Sequence, residues 1–197
     1  SGSMDQGSRI MSTSKYKSVK LTILAAVVAA VPILVGPSEA AAQSAESLVG
    51  TYRYVKNLDH GRERIHSAFE KSIGTITPIL RPLVRSRIFR NELMVGAFSI
   101  SETPSLLVFQ AMSPRSWTWS QPLGVPRQVT TPNGSKAQMV HRVRGNRYIQ
   151  SFSSRSVNQT VTFQLSPDGN LMRVDTNVGI EIAGEPARFT RFYRRDS

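Results

Sequence analysis

The sequence contains no cysteine. That excludes a disulfide framework, an iron–sulfur site, a thiol nucleophile and a lipid-modified cysteine at a leader junction. Histidine is nearly as scarce. His60, His66 and His141 show neither H-x-x-x-H nor H-x-H spacing, so no metal site is expected. His60 and His66 fall on different faces of a helix, and a haem ligand among the three is a minor alternative. Acidic residues number 13 against 25 Lys and Arg. Glu63 and Glu70 share a helical face, but no carboxylate pair is spaced for coupled acid–base work. There is no G-x-S-x-G elbow for a nucleophilic serine. These absences argue against an enzyme and against a bound cofactor. The chain also lacks internal repeats, low-complexity tracts and an apolar run of the roughly 20 residues that span a bilayer.

What is present begins at the N-terminus. Ser1 to Ile10 reads as an appended leader, and Met11 as a natural start. Lys15, Lys17 and Lys20 precede an apolar stretch from Leu21 to Val35, and Ala40-Ala41-Ala42 offers a small-residue cleavage site. Residues 11–42 are therefore expected to be a signal peptide, cleaved near Ala42. Pro32 interrupts the apolar stretch, which is short for a membrane anchor. Residues 43–197 then form one exported domain, periplasmic or secreted. This part keeps 21 basic and 11 acidic residues, a net charge of +10, and 18 of the cations are Arg. Such a surface favours anionic partners such as acidic headgroups or carboxylate ligands. Nucleic acid is not expected for an exported chain, and a monomer is.

The mature part reads as all-β with a helical insert. Thr51–Val55 alternates as a first strand. Nine further strands are expected at 93–100, 105–112, 116–121, 127–131, 136–143, 148–153, 159–165, 171–178 and 187–194. Turn chemistry separates them, as at Arg144-Gly145-Asn146 and Pro167-Asp168-Gly169. Between the first two strands, Ile65, Phe69, Ile73, Ile76, Leu80, Leu83, Val84 and Ile88 repeat at three and four. That predicts helices over about 59–73 and 78–89, with Gly74 as a C′ residue and Thr77-Pro78 as N-cap and N1. Pro82 should kink the second helix or delay its start. Ten short antiparallel strands suggest a barrel, which removes exposed edges.

Strand, helix–turn–helix, then nine strands resembles the fatty-acid-binding proteins and, more widely, the calycin and lipocalin-like barrels. Gly50-Thr51-Tyr52 matches the opening of that family, and Thr190-Arg191-Phe192-Tyr193 matches its closing signature. The resemblance implies a ten-stranded barrel capped by the helix–turn–helix, holding a fatty acid or similar lipid. It implies that Arg191 and Tyr193 hold the carboxylate. The sequence departs from the family at Phe163, where a second inward Arg belongs, in the longer, more basic insert, and in being exported.

Residue chemistry agrees with that implication. Arg191 and Tyr193 are two apart, so they share a strand face and form a donor fork for a carboxylate. An inward arginine is costly unless an anion meets it. Trp117 and Trp119 also share a face, and with Tyr52, Phe109 and Phe163 they are candidate lining for an apolar ligand. Arg81, Arg85, Arg87 and Arg90 crowd the second helix. Arg81 and Arg85 are expected opposite its apolar stripe, which would close the barrel while the arginines touch anionic membrane. The expectation is a binding protein for a fatty acid or other apolar carboxylate. The alternatives are a calycin-type enzyme or haem protein using the same interior, and an interaction protein whose barrel is filled by its own side chains.

Overall fold

The computed structural model describes residues 47–89, 94–103, 106–112, 116–131 and 134–196. The residues expected to form a leader and a signal peptide, Arg90 and part of the expected turn signals lie outside those residues. Alternation of apolar and polar side chains gives ten strands, because only every second side chain can face a common interior. They are β1 (Gly50–Tyr54), β2 (Ala97–Thr103), β3 (Leu106–Ala111), β4 (Trp117–Gln121), β5 (Arg127–Thr130), β6 (Lys136–Arg144), β7 (Arg147–Ser153), β8 (Val157–Leu165), β9 (Leu171–Ile180) and β10 (Ala187–Arg195). All pairings are antiparallel, in the order β4-β3-β2-β1-β10-β9-β8-β7-β6-β5. The cylinder is therefore closed except along the seam between β4 and β5.

The inward face of β6 to β10 carries Met139, Tyr148, Val161, Phe163, Met172, Val174 and Tyr193, all buried. Rings from distant strands meet across the interior. Phe98 on β2 lies 5.2 Å from Phe163 on β8, and Phe109 on β3 lies 6.3 Å from Tyr148 on β7. Trp119 on β4 reaches Phe152 on β7 at 5.1 Å. Burying each such side chain contributes about 1.5–3 kcal/mol.

The insert forms α1 (Leu58–Gly74), a 3-10 turn (Pro78–Leu80) and α2 (Arg81–Phe89). Asn57 caps α1, its side chain accepting from the Asp59 amide at 2.9 Å. Ile65, Phe69 and Ile73 pack with Met94, Val178 and Ala187 in a second apolar cluster over the ends of β9 and β10. Gly61 is required by close approach: a Cβ there would meet Met94 Sδ at 2.7 Å and the Tyr54 ring at 3.2 Å.

Two local expectations are corrected. Gly74 is still helical and does not take the left-handed C′ conformation; Thr75 ends the helix with φ −83°. The freed carbonyls find side chains instead. Thr75 Oγ1 donates to Ser72 O at 2.7 Å, and Arg81 donates to Gly74 O and Ile76 O, each at 2.8 Å. The apolar stripe also breaks at the second helix. Pro82 delays α2 by a 3-10 turn, which winds about 3.0 residues per turn against about 3.6 and slips the phase of the face. Val84, Ile88 and Phe89 still pack, but Leu80 and Leu83 of the stripe are 40% and 68% exposed.

Candidate functional site

β10 alternates cleanly, so Arg191, Tyr193 and Arg195 point to the same side as Ala187. Arg191 is only 8% exposed. Its Nη2 donates to Thr176 Oγ1 on β9 at 2.9 Å, and its guanidinium lies 5.3 Å from the Phe189 ring centroid. Its Nε is buried with no hydrogen-bond partner, and no ion pair reaches it among the described residues. The guanidinium also donates to the neighbouring Tyr193 hydroxyl. A buried cation held by neutral hydroxyls and a ring face, with no carboxylate, is under-compensated.

Tyr193 stands beside it, but its hydroxyl donates to Val95 O at 2.8 Å. Burial raises the phenol's pKa, and the nearby Arg191 charge pulls it partly back. The hydroxyl proton is therefore committed to the backbone, and Arg191 supplies the free donor of the pair. Tyr52 is similar: fully buried, it stacks on Phe98 at 5.1 Å and donates to Leu48 O at 2.9 Å. Burial raises its pKa too, against the charge of Arg195.

Trp117 and Trp119 face inward as half-buried side chains, 5.9 Å apart, and the buried Trp117 Nε1 has no partner. Phe109 touches Phe98, Trp119, Tyr148 and Phe163, and Phe163 touches Phe98 and Tyr148 in turn. The structure thus gathers Arg191, Tyr193, Tyr52, Trp117, Trp119, Phe109 and Phe163 on one lining.

The basic helix is arranged differently from the expectation. Arg85 forms a two-pronged ion pair with Glu70 at 2.7 and 2.6 Å, which lowers the carboxyl's pKa. Arg81 caps α1. Two of the four arginines are thus held by the helix pair itself. Open hollows of about 620 Å³ at Pro82, Arg85, Ser86 and Phe89 and about 320 Å³ at Arg62, Glu63, His66 and Ser67 lie on the outside of the helices. Among the described residues no group of His, Asp and Glu gathers as metal ligands, and no helix is long and apolar enough to cross a membrane.

Sequence reasoning missed a polar cluster. His141, Tyr148, Gln150 and Gln121 are all buried, on β6, β7 and β4. His141 Nε2 lies 2.7 Å from Gln121 O, and Nδ1 lies 2.9 Å from Tyr148 Oη. A carbonyl only accepts, so Nε2 carries the proton and Tyr148 donates to Nδ1. Gln150 Nε2 donates to Tyr148 Oη at 2.9 Å. Burial lowers the His141 pKa and strongly raises that of Tyr148. The signal was parity: His141 and Gln150 occupy positions in their strands where alternation calls for apolar residues, as does Thr176 on β9.

No family model matches the sequence, and no curated protein is similar enough to count as a relative. Solved structures do match the fold. The REP1-NXSQ fatty acid transporter is 14% identical, with a TM-score of 0.50 over 77% of this chain and 98% of that chain. A Schistosoma mansoni fatty acid binding protein, in complex with arachidonic acid, is 13% identical, with a TM-score of 0.50 over 78% of this chain and 99% of its own. The fluorescent protein UnaG is 14% identical, with a TM-score of 0.50 over 77% and 98%. The fold is that of the fatty-acid-binding proteins, with the helix pair between β1 and β2 as expected. A fluorescent protein shares it, so the fold alone does not choose a cargo.

Proposed function

We propose that this protein is an exported carrier whose barrel binds a fatty acid or similar apolar carboxylate, with Arg191 at the anionic head. The observation that carries the reading is the Arg191 guanidinium, inward, nine-tenths buried and with its Nε unpartnered. A carboxylate there supplies both the missing acceptor and the missing charge. The aromatic lining supplies apolar contact, and each buried methylene adds about 0.8 kcal/mol before ordering costs. The leader pattern at residues 11–42 supports export. The exposed Ile79 on the 3-10 turn and Leu83 on α2, the helix that also carries the exposed Arg87, support a brief contact of this segment with anionic membrane during transfer. Native mass spectrometry of protein purified from its own cell envelope tests the carrier reading. A co-purified acidic lipid, released by denaturation, is the expected result; protein of bare chain mass that takes up no added hexadecanoate contradicts it.

One observation favours a second reading. The Phe98–Phe163 and Phe109–Tyr148 contacts bridge opposite parts of the barrel, as they would in an interior filled by its own side chains. A carrier must part some of these rings. Hexadecanoate binding that shifts the Trp117 and Trp119 fluorescence supports the carrier; a barrel that excludes both the acid and the neutral hexadecanol is a packed interaction module.

A further inference from the structure

The buried polar cluster lies on β4, β6 and β7, well away from β10 in the strand order. Most of it has a structural explanation. The His141 ring holds the Gln121 carbonyl at 2.7 Å, and the Gly124 amide donates to the His141 carbonyl at 2.7 Å. These two bonds stitch the end of β4 to β6 across the unpaired seam. Tyr148 and Gln150 complete the hydrogen bonds of the ring and of each other.

The Gln121 side chain has no such explanation. The stitch uses only its backbone carbonyl, and leucine would serve the seam equally. The amide is 4% exposed. Its Nε2 has only the thioether of Met139, at 3.0 Å, and its Oε1 has no partner. Turning the amide over leaves the other atom in the same position, so the deficit does not depend on its orientation. Buried amides are normally satisfied, because leaving one unmade costs more than an apolar side chain would.

Gln121 and Arg191 are thus two under-satisfied polar groups on opposite parts of one apolar lining. Tyr148, which shares the polar cluster, is three strand spacings from Arg191 along the row Tyr148–Phe163–Val174–Arg191, on the order of 14 Å. We infer that the ligand carries, besides its anionic head, a hydroxyl on its apolar body that hydrogen-bonds the Gln121 amide. The cargo class is a hydroxylated fatty acid or comparable oxygenated apolar acid. The inference rests on Arg191 holding the head, as proposed above. A hydroxyl fits because it donates to Oε1 and accepts from Nε2. A second carboxylate or an amine does not fit, because the neighbouring His141, Tyr148 and Gln150 are neutral and would leave that charge unpaired.

The test is calorimetric titration of the lipid-stripped mature protein with hexadecanoate and with hexadecanoates hydroxylated at mid-chain or at the far end. At least one hydroxylated acid is expected to bind about tenfold more tightly than hexadecanoate, the size of one satisfied buried hydrogen bond. Gln121→Leu is expected to abolish that advantage while binding hexadecanoate at least as well as the wild type. The ranking of the acids on the wild type needs no variant, so a poorly folding substitution does not block the test. If every acid binds wild type and variant alike, Arg191 keeps its role and the second anchor is wrong. An advantage that survives Gln121→Leu also overturns it. If no acid binds at all, the carrier reading and this inference fall together.

Discussion

Arg191 and Arg195 lie four residues apart on β10, on the same inward side, and differ in what surrounds them. The Arg195 guanidinium donates to three backbone carbonyls, at Val49, at Ser47 (3.1 Å) and at Gly169 (3.4 Å). It also lies 5.7 Å from the Tyr52 ring centroid. It ties the segment before β1 to the turn between β8 and β9. Arg191 has the hydroxyls of Thr176 and Tyr193, one ring and an unpartnered Nε. The comparison separates a structural arginine from one arranged for something else. Charge and inward direction do not distinguish them; the tally of satisfied donors does.

The largest effect expected from breaking this contrast is at the structural end. Arg195→Met removes charged hydrogen bonds to several carbonyls at once and should lower unfolding stability by about 3 kcal/mol in urea titration. Arg191→Met should do the opposite in the ligand-free protein. Replacing an under-paired buried charge with an apolar side chain of similar reach should stabilise it by about 1–2 kcal/mol. If the two variants destabilise alike, the contrast is unsound. Gly50 sharpens it further: a Cβ there would meet Arg195 Nε at 2.7 Å. Gly50→Ala should therefore push the guanidinium off its carbonyls and also strain the backbone, because φ is +155° there; the total cost should exceed about 1 kcal/mol, and only the share due to the clash should disappear once Arg195 is already Met.

The smallest expected effect is in the pH profile. Burial holds the His141 pKa below its ordinary 6.5. Between 6.5 and that lower value the unfolded chain binds a proton that the folded chain does not. Stability is therefore level above 6.5 and falls as the pH drops through that window. Melting temperatures of His141→Gln, which keeps a donor for Gln121 O, should fall less steeply there than those of the wild type. At the alkaline end Tyr52, Tyr148 and Tyr193 all have raised pKa values, so the unfolded chain releases protons first and stability falls above about 10.

Much of this architecture was legible in the sequence because alternation and turn chemistry are local. The strand from Lys136 and the turn at Gly145 need no tertiary information. The parity of Arg191 with Tyr193 was legible for the same reason. Three features were not. The exposure of Leu80 and Leu83 depends on the phase slip of the 3-10 turn ahead of α2, whose size no spacing rule supplies. The commitment of the Tyr193 hydroxyl to Val95 O joins residues 98 positions apart. The role of Gln121 depends on which strands flank the seam, and β4 and β6 meet there only because the cylinder closes. The apolar interior could be read from the pattern, but its polar exceptions become informative only when their partners are known.

The most direct test of the central claim is calorimetric titration of wild type and Arg191→Met with hexadecanoate and with hexadecanol. If Arg191 holds the anionic head, the acid should lose about 1.5–3 kcal/mol of binding free energy and the alcohol should hardly change. Equal losses for both ligands, or no loss for either, would contradict the account.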